Sequence, residues 1–365
     1  MKKKICFNIA DIHSKGGEER MCTTLANSLV RKGYTVCICS FFSHKDASLF
    51  YPVDAAVNIC HLLGSFWERR VHQFFPGLKY AETKYKSYLK KKDIEVIIDV
   101  DTDRTPFSAP IAKELGIKHI AWDHFYYGRF RQRACSARIL PHLLHDVDKL
   151  VVLTKDDERL YKEDAKIPGE KVVQIYNASP IEEVERYQHD RPVVLAMGRL
   201  CYQKGFDMLI EAWHLIAERF PDWTLRIVGD GEDKQMLQDQ LRHWKLTNVV
   251  LVPATKNPKE EYLNAGIFVL SSRYEGLGLV LLEAANMSLP LVSFDCDNGP
   301  REIIQEGVNG CLVPPNDVPQ LAKILQRMME DTELRQRMSA HALDTVSSFR
   351  TERILRQWMR VIDDL

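Results

Sequence analysis

Residues 266–283 read GIFVLSSRYEGLGLVLLE. An apolar run of strand length, GIFVLSS, leads into a turn broken by Gly276 and Gly278 and then into an apolar helix. A strand, turn and helix in that order belong to a parallel sheet, whose ligands bind outside the C-terminal edges of the strands. Two carboxylates stand eight positions apart, Glu275 in the turn and Glu283 inside the helix. Gly276 and Gly278 let backbone N–H groups approach a ligand closely, and a helix N-terminus favours an anion. The plainer alternative is an ordinary turn with one solvated and one helical glutamate.

The surrounding text has the same rhythm. Upstream lie VVLAMGRL (193–200), TLRIVGD (224–230) and NVVLVP (248–253), and downstream lies PLVSFD (290–295). Helical patterns fill the gaps, as in KGFDMLIEAWHLIAERF, with Phe206, Leu209, Ile210 and Trp213 at helical spacing. An earlier series of apolar runs covers residues 5–12, 34–41, 57–62, 95–101, 118–124, 149–154 and 171–177. Continuous apolar strands alternating with helices predict parallel sheets covered on both faces. The polar, strand-poor segment IEEVERYQHDR (181–191), followed by Pro192, reads as a linker. The fold class is therefore α/β, with two Rossmann-like doubly wound domains facing a cleft. The expected domains are 1–180 and 192–345. Three helices are predicted over 317–329, 331–346 and 351–364, with 346–365 packing back toward the N-terminal domain.

The chain has 365 residues, too many for one ordinary core. A hydrophobic content of 45% is normal for a globular protein. Zero net charge hides an asymmetry: residues 1–175 carry 29 Lys+Arg against 22 Asp+Glu, and the remainder reverses that excess. The first half is therefore expected to meet something anionic. The start, MKKKICFNIADI, lacks the length and cleavage site of a signal peptide and reads as a strand. No apolar run reaches the roughly 20 residues of a membrane span. Nine scattered cysteines without a CxxC pair read as reduced core residues of a cytoplasmic protein.

Aromatic and basic residues interleave over 66–92 (Phe66, Trp67, Phe74, Phe75 and Tyr80 among Arg69, Arg70, Lys79, Lys84, Lys86 and Lys90–Lys92) and again over 124–138. This composition fits an anionic membrane surface. It also fits a solvated helical face with buried aromatics or, less well, a nucleic-acid patch.

Three loops of the second domain carry charge. GRLCYQKG (198–205) sets Arg199 and Lys204 five residues apart, a spacing suited to a diphosphate: a planar fork for its oxygens and a point charge at a helix start. Two solvated turn cations are the plainer reading. RYEGLG (273–278) and CDNGPRE (296–302) should face the same cleft. Cations match phosphate and carboxylates match sugar hydroxyls, so the combination points to a nucleotide sugar. In the first domain, Gly16-Gly17 feeds a helix over 18–30; it is a plausible phosphate cradle, or an ordinary tight turn, but not a dinucleotide fingerprint.

In order and spacing, GGEER, GRLCYQKGFDMLIEAW, GDGE, SSRYEGLGLVLLEA and DCDNGPREII resemble the family-four retaining glycosyltransferases of the GT-B fold. Glu275 and Glu283 match that family's E-x7-E signature. The resemblance is strongest over residues 192–313. It implies that Arg199 and Lys204 neutralise the donor diphosphate and that Glu283 holds the ribose. It puts Glu275 near the transferred sugar and the amides of Gly276, Gly278 and Leu279 at the phosphates. Gly16 and Gly17 would close over the donor, Pro253 would lie near the base, and His124 would line the catalytic centre. Leu277 stands where the family usually has Phe.

The resemblance further implies transfer of a hexose or N-acetylhexosamine from a UDP-sugar to a glycan or lipid-diphosphate-linked acceptor in surface polysaccharide or lipopolysaccharide synthesis. The enzyme would be cytoplasmic or peripheral on the inner membrane, with no nucleic-acid partner. The run Asp99-Val100-Asp101-Thr102-Asp103 contains two DxD patterns, which bind a metal in the other major glycosyltransferase fold. Here no metal cofactor is expected. Asp99, Asp101 and Asp103 read as a strand-end acidic loop, with Asp101, Asp103 and Arg129 on the acceptor side. The alternatives are a sugar-nucleotide epimerase of the same architecture, which would need no acceptor surface, and a non-catalytic nucleotide-sugar-binding module, which could have lost Glu275 or Lys204.

Overall fold

The computed structural model describes residues 2–42, 48–63, 75–128, 142–179, 181 and 191–365, with side chains from residue 79 onward in the helix that opens at Phe75. The chain divides into two units, Met1–Pro180 with Glu352–Leu365, and Ile181–Thr351.

The first unit is built on a seven-stranded sheet. Its strands are β1 Lys4–Ile9, β2 Thr35–Ser40, β3 Asn58–His61, β4 Val96–Val100, β5 Lys118–Trp122, β6 Lys149–Val152 and β7 Val172–Gln174. All are paired in parallel, in the order β3-β2-β1-β4-β5-β6-β7. The second unit has six: β8 Val193–Met197, β9 Thr224–Val228, β10 Val249–Val252, β11 Ile267–Leu270, β12 Leu291–Phe294 and β13 Gly310–Val313. They too are parallel, in the order β10-β9-β8-β11-β12-β13. In each sheet the order reverses beside its first strand, between β1 and β4 and between β8 and β11. That reversal opens a crevice at the C-terminal strand ends, where doubly wound sheets bind ligands.

Every strand expected from the sequence is present. β13 is an addition: GCLV is only four residues long and is hemmed by Asn309 and Pro314, so no periodicity marks it. It becomes a strand because β12 offers it a full register, from Leu291↔Gly310 to Phe294↔Val313. The core of the second unit gathers Phe206, Leu209, Ile210 and Trp213 from one face of the helix Phe206–His214 against β8, β9 and β11. Burying each such side chain fully contributes about 1.5–3 kcal/mol.

Two expectations change. Asp99 is not in a strand-end loop: it lies inside β4 with no solvent exposure. One carboxylate oxygen accepts from Asn8 Nδ2 at 2.9 Å; the other meets His119 Nε2 at 2.7 Å and the Ser108 hydroxyl. A carboxylate can stand in a central strand because neighbours on three elements satisfy it. The basic-aromatic stretch 66–92 also divides. The helix Phe75–Lys91 buries Ala81, Tyr85 and Leu89 while Tyr80 and Lys79, Lys84 and Lys90 are exposed. Residues 64–74, Arg129 with most of 124–138, and most of the linker lie outside the described residues.

The C-terminal helices fall at Val318–Glu330, Thr332–Val346 and Thr351–Asp363. Among the described residues no helix is long and apolar enough to cross a membrane.

Replacing Asp99 by Ala would strand Asn8, Ser108 and His119 without their acceptor, at about 1–3 kcal/mol for each buried group. Urea denaturation of Asp99→Ala should therefore show a loss of several kcal/mol. A loss below about 1 kcal/mol would mean that the network is not needed for the fold.

Candidate active site

β8 and β11 are neighbours, so the turns that follow them lie side by side. The first runs from Gly198 through a short 3-10 turn, Tyr202–Lys204, to Gly205; the second is Ser271–Gly278. They are joined where Gln203 and Lys204 meet Ser271–Tyr274. Ser271 Oγ donates to the Lys204 carbonyl at 2.9 Å, Arg273 N donates to the Gln203 carbonyl at 2.8 Å, and Gln203 Nε2 returns a bond to the Tyr274 carbonyl at 3.1 Å. Contact this close requires glycine at 205: φ is +62°, and a Cβ there would stand 2.1 Å from the Ser271 carbonyl oxygen.

The result is an ion pair. Lys204 Nζ lies 2.6 Å from Glu275 Oε1, with side-chain exposures of 16% and 6%. The Ser272 hydroxyl donates to the same oxygen at 2.6 Å. Arg199 contrasts with this: its Nε meets Glu232 at 3.1 Å, but its side chain is 72% exposed. Exposed pairs of that kind are weak, so Arg199 can turn to an incoming anion at little cost. Lys204 is held, because removing one partner of a mostly buried pair leaves the other charge uncompensated.

Beyond Glu275, Gly278 takes φ +84° and opens the helix Leu279–Asn286, whose N-terminus has no side-chain cap. First-turn amides without such a cap suit an anion. Glu283, in that helix, is 2% exposed and accepts from the Tyr262 phenol at 2.7 Å. The third loop joins through a bridge between Tyr274 and Asp297, with Glu275 N donating to the Asp297 carbonyl at 3.3 Å. The GDGE turn is tied in as well, since Leu200 N bonds the Asp230 carbonyl and the Asp230 carboxylate accepts from Ala254 N, next to Pro253. The loops after β8, β9, β10, β11 and β12 thus meet at one edge of the sheet. The nearby Cys296 thiol is pushed up by burial and is inert there.

Sequence reasoning missed the clamp behind this arrangement. Arg273 grips both oxygens of Asp207, at 2.9 and 2.6 Å, donates to the Tyr202 carbonyl at 2.7 Å, and lies 4.1 Å from the centre of the Tyr202 ring. The two residues are 66 positions apart, so no local spacing marks them as partners. Tyr262, 21 positions from Glu283, was missed for the same reason, whereas Ser272, three residues before Glu275, was read only as the end of the strand.

In the first unit, Gly16 precedes the helix Gly17–Arg31. The Glu19 carboxylate folds back onto the amides of Gly16 and of Glu19 itself, and its own burial raises its pKa. This is half of a capping box, so in this structure a carboxylate already occupies the N-terminus that the sequence reading gives to a phosphate. Asp101 and His124 follow the adjacent strands β4 and β5. Asp101 is held at φ 79°, ψ 137° while its amide donates to the Trp122 carbonyl. That conformation costs about 1–3 kcal/mol and persists only where its surroundings impose it. Asp103 is exposed. His124 is buried, and desolvation lowers its pKa to about 3, so the ring is neutral at physiological pH. Burial, with Asp157 adding to it, pushes the Asp123 carboxyl up to about 7. Among the described residues no group of three or more His, Cys, Asp or Glu could hold a metal ion.

Residues 15–183 match the glycosyltransferase family 4 description, and residues 178–344 match glycosyl transferases group 1. The chain belongs to this family of glycosyltransferases. An uncharacterized glycosyltransferase of Haemophilus influenzae is 29% identical over 99% of this chain and 100% of its own length. The amylovoran biosynthesis glycosyltransferase AmsD of Erwinia amylovora is 28% identical over 99% of each. A Campylobacter jejuni enzyme named as an alpha-1,4-N-acetyl-D-galactosaminyltransferase acting on a PP-undecaprenol-linked glycan is 26% identical, again over 99% of each.

Two solved structures share the fold at low identity. A mutant of S. aureus TarM, in complex with fondaparinux, alpha-GlcNAc-glycerol and UDP, superposes with a TM-score of 0.83 at 15% identity over 100% of both chains. Anabaena HepE in complex with UDP gives 0.79 at 17% identity, over 99% of this chain and 100% of that one. The fold is GT-B and the chain is a transferase, which sets aside the epimerase and the non-catalytic module.

A double-mutant cycle on Arg273→Ala and Asp207→Ala, read by chemical denaturation, should give a coupling energy of about 1–2 kcal/mol. Additivity within about 0.4 kcal/mol would mean that the clamp does not couple the two turns.

Proposed function

We propose that this enzyme moves a hexose or N-acetylhexosamine from a UDP-sugar to a glycan or lipid-diphosphate-linked acceptor, with retention at the anomeric carbon, in the assembly of a surface polysaccharide. The observation that carries the proposal is the mostly buried Lys204–Glu275 pair at the crevice between β8 and β11, with Arg199 exposed beside it and an uncapped helix N-terminus beyond it. Cations of this kind suit phosphate, and carboxylates suit the hydroxyls of a sugar and a ribose. The bound UDP of the TarM and HepE structures supports a UDP donor, and the names of the Erwinia and Campylobacter relatives support a polysaccharide product and a lipid-diphosphate acceptor.

In the proposed step the bond between the anomeric carbon and the leaving phosphate oxygen breaks, and a bond from the acceptor oxygen forms on the same face. The acceptor proton passes to the departing phosphate. Negative charge grows on that phosphate, and Arg199, Lys204 and the amides at Gly278 and Leu279 stabilise it. Glu275 orients the sugar and Glu283, steadied by Tyr262, the ribose. From the first unit the proposal takes His124 as a neutral contact to the sugar, the Gly16–Gly17 turn as a donor contact, and Asp101 and Asp103 on the acceptor side. Charge neutralisation is assigned to the two cations and no metal is invoked, so activity should survive EDTA. The exposed lysines and Tyr80 of the helix Phe75–Lys91 support an anionic membrane surface at the cytoplasmic face as the place of work.

A panel of UDP-sugars, scored by mass detection of released UDP and product, should single out one donor. Lys204→Ala and Glu283→Gln should each lower its turnover by about 100-fold or more while circular dichroism is unchanged. Near-wild-type turnover of either would mean that the donor site is misplaced. An inverted linkage in the product would overturn the retaining step. Sedimentation with anionic vesicles at low salt tests the membrane surface, and failure to bind would remove it.

A further inference from the structure

The imidazole of His124 is fixed without a hydrogen bond to its inner nitrogen. Nε2 is buried and has no hydrogen-bond partner among the described residues. Asp123, the adjacent acid, is turned elsewhere, accepting from the Tyr161 phenol at 2.6 Å and from Phe125 N at 3.1 Å. Trp122 packs its indole against the ring, with centroids 4.2 Å apart and planes inclined at 46°. Trp122 is itself buried, with no hydrogen-bond partner on Nε1, so it too is located by packing. Its other neighbour is Trp358, edge to face at 4.8 Å and 67°. The Trp122–Trp358 spacing falls in the attractive range for aromatic pairs, and the Trp122–His124 rings are in close contact.

Trp358 comes from the end of the chain. From Glu352 onward the helix Thr351–Asp363 belongs to the first unit, and it buries Ile354, Leu355, Trp358 and Ile362. Its far end is anchored by residues that lead into β1 and β2: Lys2 Nζ lies 2.8 Å from Asp363, the Tyr34 phenol donates to the same carboxylate at 2.7 Å, and Lys3 Nζ bonds the Ile362 carbonyl at 2.9 Å.

We infer that Trp358 is a positioning residue for His124: the C-terminal helix sets the Trp122 indole, and that indole sets the orientation of the imidazole and keeps water from it. The inference deepens the proposed function and rests on its reading of His124 as a site residue. A histidine held this way has one consequence that a hydrogen-bonded one lacks. Its protonation behaviour depends on an aromatic side chain that never touches it.

The test is an NMR titration of the full chain with carbon-13-labelled histidine, the His124 signal being assigned by its loss in His124→Gln. In the wild type the signal should stay constant from about pH 8 to about pH 5, as burial keeps the ring neutral. In Trp358→Ala it should titrate within that window, moving toward the ordinary histidine value of about 6.5. Trp358→Phe, which keeps a ring, should restore the constant signal, and Asp363→Asn, which loosens the helix end but not the stack, should leave it constant. Should Trp358→Ala fail to fold, Trp358→Leu serves in its place. A folded Trp358→Ala or Trp358→Leu whose His124 signal still does not titrate overturns the inference.

Activity separates the two claims. With the donor found in the panel, Trp358→Ala should lower kcat by about ten-fold with little change in KM, and adding it to His124→Gln should cost nothing further, because both act on one group. If His124→Gln turns over like the wild type, the site reading of His124 falls, whereas the titration alone decides the packing relation.

Discussion

The second unit depends on holding two opposite charges, 71 residues apart in sequence, at 2.6 Å in a place that water barely reaches. Such a pair repays its desolvation only with close geometry and further hydrogen bonds. Both are supplied locally. Gly205 removes the side chain that would keep the two turns apart, Ser272 adds a bond to Glu275, and the Arg273–Asp207 fork locks the turns from behind. The strand order makes this possible, because β8 and β11 become neighbours only where the sheet reverses direction.

The two units share one topology but build contrasting edges on it. In the second, the C-terminal strand ends carry exposed and half-buried ions: Arg199, Glu232, Arg301 and Asp295 beside the central pair. In the first, burial acts on Asp123 and His124. It pushes the Asp123 carboxyl up and the His124 imidazole down, so both move toward their neutral forms. An ionic edge suits a diphosphate. Neutral donors and acceptors suit hydroxyl groups, which bind through hydrogen bonds rather than net charge.

Much of this was legible in the residues. Continuous apolar runs of strand length, separated by helical patterns, specify buried parallel strands, since no other arrangement covers both faces of so many. The glycine-broken turns after β8 and β11 mark ligand-binding positions because glycine before a helix both permits close approach and exposes backbone donors. One reading failed. Asp99 looked like part of a strand-end acidic loop, but it is absorbed by Asn8, Ser108 and His119. A polar residue's partners decide its role, and the partners of Asp99 come from other elements.

By itself the sequence determined the α/β class, the strands apart from β13, and three charged loops of the second unit, 198–205, 273–278 and 296–302. Those features rest on local periodicity and turn chemistry, which neighbouring residues carry. Only the tertiary structure decided that Lys204 spends its charge on Glu275, that Arg273 holds Asp207, and that Trp358 returns from the last helix to pack on Trp122. Each of these joins residues dozens to hundreds of positions apart. The distance between such residues is set by strand order and close packing, which no local pattern encodes.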